Sequence, residues 1–211
     1  MPYYLNHPPI QKLIASLPVE EHGVAVNAAF WREPCVHAGR EALHEAMFAG
    51  RDAVRIPRHW LRREDGSAPE LRTFGVLLWG YPRGARGNRH VRWLEELPAI
   101  AAAAAAPAAS WTDYYTRLTA TGPLGISTIS KLAHFFGHKF DGSPALILDQ
   151  RIITLCASGR WTELSSLADL SYSIAHRRYP EYLSVMHEIA ATGGFSAEQL
   201  EFFLFSLGES F

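Results

Sequence analysis

The sequence predicts an all-α protein built as two helical lobes, and three observations carry that prediction. Apolar residues recur at helical spacing along most of the chain, with prolines and glycines marking the breaks. At 211 residues and 48% hydrophobic, the chain can bury one substantial core as a single unit. The stretch Gly122-Pro123-Leu124-Gly125 separates two such segments in the manner of a helical hairpin.

Taken in order, Ile10 to Leu17, Glu20 to Trp31 and Arg40 to Phe48 read as helices, and Leu71 to Trp79 is short enough to be helix or strand. Gly80 to His90 is the most loop-like stretch, rich in glycine and arginine. His90 to Ile100 resumes as a helix, and the alanine run 101–106 before Pro107 reads as a helix end or linker. Trp111 to Ala120 and Ser127 to Phe136 are the two helices of the hairpin. Ile152 to Ala157, Leu164 to His176, Tyr182 to Ala191 and Ala197 to Leu207 complete the helical set, with no internal repeat. The expected organisation is one domain over 1–211, with lobes of roughly 1–107 (plus the C-terminal helices) and 108–180.

Several function classes are excluded at this level. No apolar run approaches the ~20 residues of a membrane span, and the Met1-Pro2-Tyr3-Tyr4 start lacks the features of a signal peptide, so a cytoplasmic monomer is expected. Cys35 and Cys156 lie far apart without metal spacing, and His134 and His138 have no third ligand nearby, so neither metal nor cofactor is expected. The net charge is -1, but its distribution is uneven. Arg32 to Arg92 holds twelve arginines against seven acids, whereas Glu181 to Phe211 holds five glutamates and no lysine or arginine. A basic face opposite an acidic C-terminal helix pair is expected, and such a face binds phosphates whatever the total charge.

The most informative pair is Lys131 and Asp149. Lys131 lies in the segment after the glycine hairpin; Asp149 follows the apolar run Ala145 to Leu148 and opens the next helix, 149 − 131 = 18 residues on. A carboxylate beside C1′ of a deoxyribose stabilises the cation that forms as an N-glycosidic bond breaks. A neutral lysine amine beside it can attack the same carbon and form a Schiff base. The plain readings are an N-cap for Asp149 and a solvated surface lysine for Lys131.

This order of hairpin, lysine, apolar run and aspartate resembles the helix-hairpin-helix DNA glycosylases, and within them the oxoguanine-glycosylase-like (OGG-fold) bacterial group. The resemblance covers roughly residues 70–207 and includes Ser130-Lys131-Leu132, Leu146-Ile147-Leu148-Asp149, the Trp79-Gly80-Tyr81-Pro82 loop and the C-terminal Leu204-Phe205. It implies a two-lobed all-α helix-hairpin-helix glycosylase fold and base excision. Two registers are open. Family hairpins place the lysine two residues after the second glycine, which is Ser127 when counted from Gly125, whereas alignment on Lys131 loses the glycines. Residues 127 and 131 share a helix face, and helical side chains lean toward the N-terminus.

The resemblance further implies DNA contacts. Gly122, Gly125 and Ser127 belong to the hairpin. Arg151 corresponds to a position near the DNA backbone. The 80–90 loop corresponds to one that enters DNA at the lesion, with Arg83, Arg86 and Arg89 on phosphates or the orphaned base and Asn88 as wedge. Phe202, Phe203 and Phe205 are candidates for a base-stacking wall or for plain core. The expected function is excision of a modified or damaged base from double-stranded DNA, for repair or against modified phage DNA. The other readings are a non-catalytic helix-hairpin-helix DNA-binding module and a helical interaction protein. The eukaryotic oxoguanine enzymes carry an N-terminal β-domain that this resemblance does not include, which leaves the substrate base open.

Overall fold

The computed structural model describes residues 3–62, 68–84 and 89–210. Helices dominate: α1 (Pro8–Ala15), α2 (Ala29–His37), α3 (Glu41–Phe48), α4 (Arg58–Leu61), α5 (Pro69–Gly80), α6 (Arg89–Glu95), α7 (Leu97–Ala105), α8 (Trp111–Thr121), α9 (Ile126–Phe135), α10 (Gln150–Ala157), α11 (Ala175–Gly193) and α12 (Ala197–Ser206). Two small antiparallel pairs accompany them, β1 (Gly23–Asn27) with β2 (Ala53–Pro57) and β3 (Lys139–Phe140) with β4 (Ser143–Pro144).

Helix α5 is the centre. Its residues Thr73 to Trp79 are all buried, and it packs against α7 and α9. A helix buried on every side carries no polar stripe, which is why its sequence reads equally as strand. Of the two readings of the alanine run, the helix end is the one found, since α7 runs to Ala105. Ala101, Ala103 and Ala104 are buried on α7, where small side chains bring the helix close to α5 and α8. One hydrophobic cluster extends from Leu5 to Leu204. The two chain ends meet: Tyr3 bridges Trp161, and α1 packs on α12, whose N-terminus is closed by the Ser196/Gln199 capping box.

Three expected helices are corrected. Glu20 to Trp31 is a 3-10 turn (Val19–Glu21), then β1, then the start of α2. Val24 and Val26 alternate with exposed Ala25, a strand period hidden inside a longer apolar stretch. Leu164 to His176 is a 3-10 segment (Thr162–Leu167) followed by a loop, with α11 opening at Ala175. His90 to Ile100 divides at Glu96, ahead of Pro98 at the second position of α7. Among the described residues, no helix is long and apolar enough to cross a membrane.

Candidate active site

The apolar run before Asp149 is extended yet pairs with no strand among the described residues. Its backbone is held by side chains from two helices. From α9, His134 Nδ1 donates to Ala145 O (2.7 Å), and Ser130 Oγ accepts from Leu148 N (3.0 Å) and donates to Leu148 O (3.3 Å). From α11, Tyr179 Oη accepts from Leu146 N (3.1 Å) and donates to Leu146 O (2.6 Å), and Tyr182 Oη donates to Ile147 O (2.8 Å). All four carbonyls of a buried segment are thereby satisfied, as burial demands. The run delivers Asp149 as N-cap of α10, with Oδ1 accepting from Ile152 N at 3.2 Å. Asp149 is half-buried, and its Oδ2 takes no hydrogen bond among the described residues. The capping reading is therefore correct and leaves one oxygen free for chemistry.

Lys131 is not a solvated surface lysine; only 6% of it is exposed. Its Nζ donates to Ser127 Oγ (2.7 Å) and Ser127 O (3.3 Å), one turn back along α9. The lysine therefore leans back along α9 toward the hairpin end of its helix, where its amine meets Ser127. Burial lowers its pKa below the ordinary lysine range. The carboxylates of Asp149 and Glu201 oppose that shift, and Arg58 adds to it. Gly80 lies flat against the lysine stem, where an added Cβ would sit 3.5 Å from Cδ.

The hairpin is fixed from several directions. Gly125 is the N-cap of α9, and a Cβ there would meet Tyr172 Oη at 2.4 Å. Tyr81 Oη pairs with Thr128 Oγ1 (2.9 Å), and Trp93 Nε1 of α6 donates to Pro123 O (3.4 Å). Gly122 closes α8 in extended backbone. The end of the 80–90 loop thus lies beside the hairpin.

Behind Lys131, Arg58 and Glu201 form a fully buried two-bond ion pair (2.8 and 3.1 Å), 143 residues apart in sequence. Burial opposes the Arg58 charge, but the Glu201 carboxylate more than compensates and raises its pKa. Arg62 pairs with Glu20 and with Glu198 (2.6 Å). Two of the five C-terminal glutamates, Glu198 and Glu201, are therefore paired with arginines of the first half.

Of the expected DNA contacts, Gly122, Gly125 and Ser127 converge on the hairpin. Arg83 is exposed, and Arg89 is exposed at the start of α6, where its charge acts on Tyr172. Arg86 and Asn88 lie outside the described residues. Arg151 is exposed beside Asp149 but leans on α12, donating to Phe205 O (3.3 Å) with its guanidinium 5.3 Å from the Phe205 ring. Phe203 is core, whereas Phe202 and Phe205 are half-buried around His22. Cys35 and Cys156 are buried free thiols, each pushed up to about 12 by burial. Among the described residues no three metal-ligating side chains cluster.

Sequence reasoning missed Arg58, Glu201, His22 and the clamp residues. Ser130/His134 at i, i+4 and Tyr179/Tyr182 at i, i+3 were a usable signal, polar tips repeating on buried helix faces. Nothing local marks the Arg58–Glu201 pair.

A glycine hairpin, a buried lysine and a capping aspartate are the features expected above of a helix-hairpin-helix DNA glycosylase. A family model described as "Putative 8-oxoguanine DNA glycosylase OGG-like protein" matches residues 17–205, and the chain belongs to that family. At the level of the family it is a DNA glycosylase. No curated protein and no solved structure matched the chain.

Proposed function

We propose that this chain draws a modified or damaged base out of double-stranded DNA and breaks its N-glycosidic bond. Asp149 stabilises the cationic sugar through its free Oδ2, and the Lys131 amine, whose pKa burial lowers, attacks C1′ as the base leaves with the bonding electrons and takes up a proton. Opening of the C1′–O4′ bond, with the proton from the amine passing to O4′, converts that adduct to a Schiff base, and water hydrolyses it to free the lysine. The carrying observation is Lys131: a buried amine, lowered in pKa, held by Ser127 and lying in the field of Asp149. A buried lysine without a use costs stability, because its charged form is poorly solvated there. The hairpin amides, with Arg83 and Arg89 nearby, supply the phosphate contacts of such an enzyme.

The test uses a panel of duplexes with oxidised, alkylated, deaminated and hypermodified bases, followed by alkaline cleavage of abasic sites. Borohydride should trap a covalent adduct that is lost in Lys131→Gln. Excision without an adduct would assign attack to water and leave Lys131 an electrostatic role. A preference for lesions of host DNA makes this a repair enzyme, and a preference for hypermodified bases makes it a defence against phage DNA. Tight duplex binding with no excision anywhere on the panel would favour the non-catalytic DNA-binding module.

A further inference from the structure

Buried nitrogens without a partner are uncommon in folded chains, and each asks for a reason. Three nitrogens that have no partner among the described residues, His22 Nδ1, Arg58 Nε and Trp79 Nε1, lie in one aromatic cluster. The His22 ring tilts on Phe202 (centroids 4.5 Å apart) and meets Trp79 edge-on (5.3 Å). The Arg58 guanidinium lies 5.7 Å from the Trp79 ring and 5.6 Å from the Phe202 ring. Trp79 and Arg58 are 5% and 0% exposed, whereas His22 and Phe202 reach the surface.

The cluster borders the candidate catalytic pair. Trp79 precedes Gly80, which packs on the Lys131 stem, and Glu201, the partner of Arg58, acts on both Lys131 and Asp149. His22 sits on the turn between the 3-10 segment and β1, outside any helix, so its ring is placed by its contacts with Phe202, Phe205 and Trp79.

We infer that His22, Trp79 and Arg58 form the edge-reading part of a base pocket, closed by the His22 ring and opened when an extrahelical base displaces that ring from Phe202. This rests on the glycosylase reading above and adds which groups select the base. Trp79 Nε1 and Arg58 Nε are donors only, so they require oxygen or ring-nitrogen acceptors on the entering edge. The guanidinium already lies against Trp79 and Phe202, so a cationic base finds that aromatic surface taken and a like charge beside it. The pocket therefore selects neutral bases with acceptor edges. Burial, with Arg58 and Arg55, pushes His22 down to about 4, so its ring is neutral at working pH and can contribute either a donor or an acceptor.

The test measures binding in an Asp149→Asn background, so that bases are retained. The probes are duplexes carrying hypoxanthine, uracil, 8-oxoguanine, cationic 7-methylguanine, or a tetrahydrofuran abasic analogue. At least one neutral base should bind more tightly than both 7-methylguanine and the analogue. Trp79→Phe keeps a ring and deletes one donor; it should cut that preference by ~10-fold or more, the effect of one buried hydrogen bond left unmade, with affinity for the analogue unchanged. His22→Ala, at a half-exposed turn position, should change the ranking among neutral bases and serves should Trp79→Phe fail to fold. Equal loss on base-bearing and abasic duplexes, no loss on either, or a preference for 7-methylguanine overturns the inference. Base-selective binding abolished by these variants without excision by the native chain would sink the glycosylase reading and keep the pocket. Native excision that both variants leave unchanged would do the reverse.

Discussion

The chain holds two of its extended segments by opposite means. In β1, Gly23 to Asn27 is paired residue by residue with β2, so its place is set by backbone that almost any sequence can supply. In the run Ala145 to Leu148 the same satisfaction comes from His134, Ser130, Tyr179 and Tyr182, four side chains on two helices. A ladder tolerates side-chain changes and slides only in register. A clamp of side chains fixes position finely and fails one residue at a time. The segment that must deliver a carboxylate is the one held by the clamp.

The largest effect should come at the tip of the clamped run. Asp149→Asn keeps a competent N-cap but removes the charge, so single-turnover excision should fall by at least ~100-fold with a nearly unchanged melting temperature. A variant that excises at the native rate would reduce Asp149 to its capping role.

A smaller effect separates the two segments directly. Tyr179→Phe strands both the N–H and the C=O of Leu146 inside the core, at a cost of about 1–3 kcal/mol. Val24→Thr, a β-branched exchange on half-buried β1, should stay within about 0.5 kcal/mol. Denaturant melts that ranked the two equally would erase the contrast.

The mildest test is acid. His134 donates through Nδ1 to Ala145 and accepts from Arg62 Nη2 (2.7 Å) through Nε2, so it is neutral, with burial, Arg58 and Arg62 holding its pKa well below 6.5. Between that lowered value and the ordinary one, the unfolded chain binds the proton and the folded chain does not, so stability is lost as pH falls below 6.5. Protonation at Nε2 also sets two donors against each other. Protection factors at amides of 145–148, which take out the slower intrinsic exchange in acid, should fall on acidification before those of β1, and simultaneous loss would show that the clamp does not depend on the neutral ring.

This contrast also explains what was legible in the sequence. The hairpin helices, the apolar run and Asp149 were readable because each is declared locally, by helical spacing, a glycine hairpin and a capping residue before an apolar face. β1 was not, since two valines cannot outvote the helical spacing around them. The strand is there because β2 arrives from 26 or more residues away to pair with it. Arg58 read as one of many arginines in a basic stretch; only the fold reveals that it is buried against Glu201. Lys131 lay between these cases, visible as a candidate while its burial and its bond to Ser127 were not.

The contact between Gly125 and Tyr172 carries a consequence for altering the hairpin. With the hydroxyl in place a Cβ at 125 meets Oη at 2.4 Å, but the next ring atom, Cζ, is 3.5 Å away, an ordinary contact. Tyr172 is 45% exposed, so its ring has room to swing aside. Gly125→Ala therefore displaces the tyrosine from the hairpin end, whereas in a Tyr172→Phe background the same methyl is accommodated with the ring in place. A single oxygen atom decides whether the hairpin glycine and the aromatic cover beside it are independent parts.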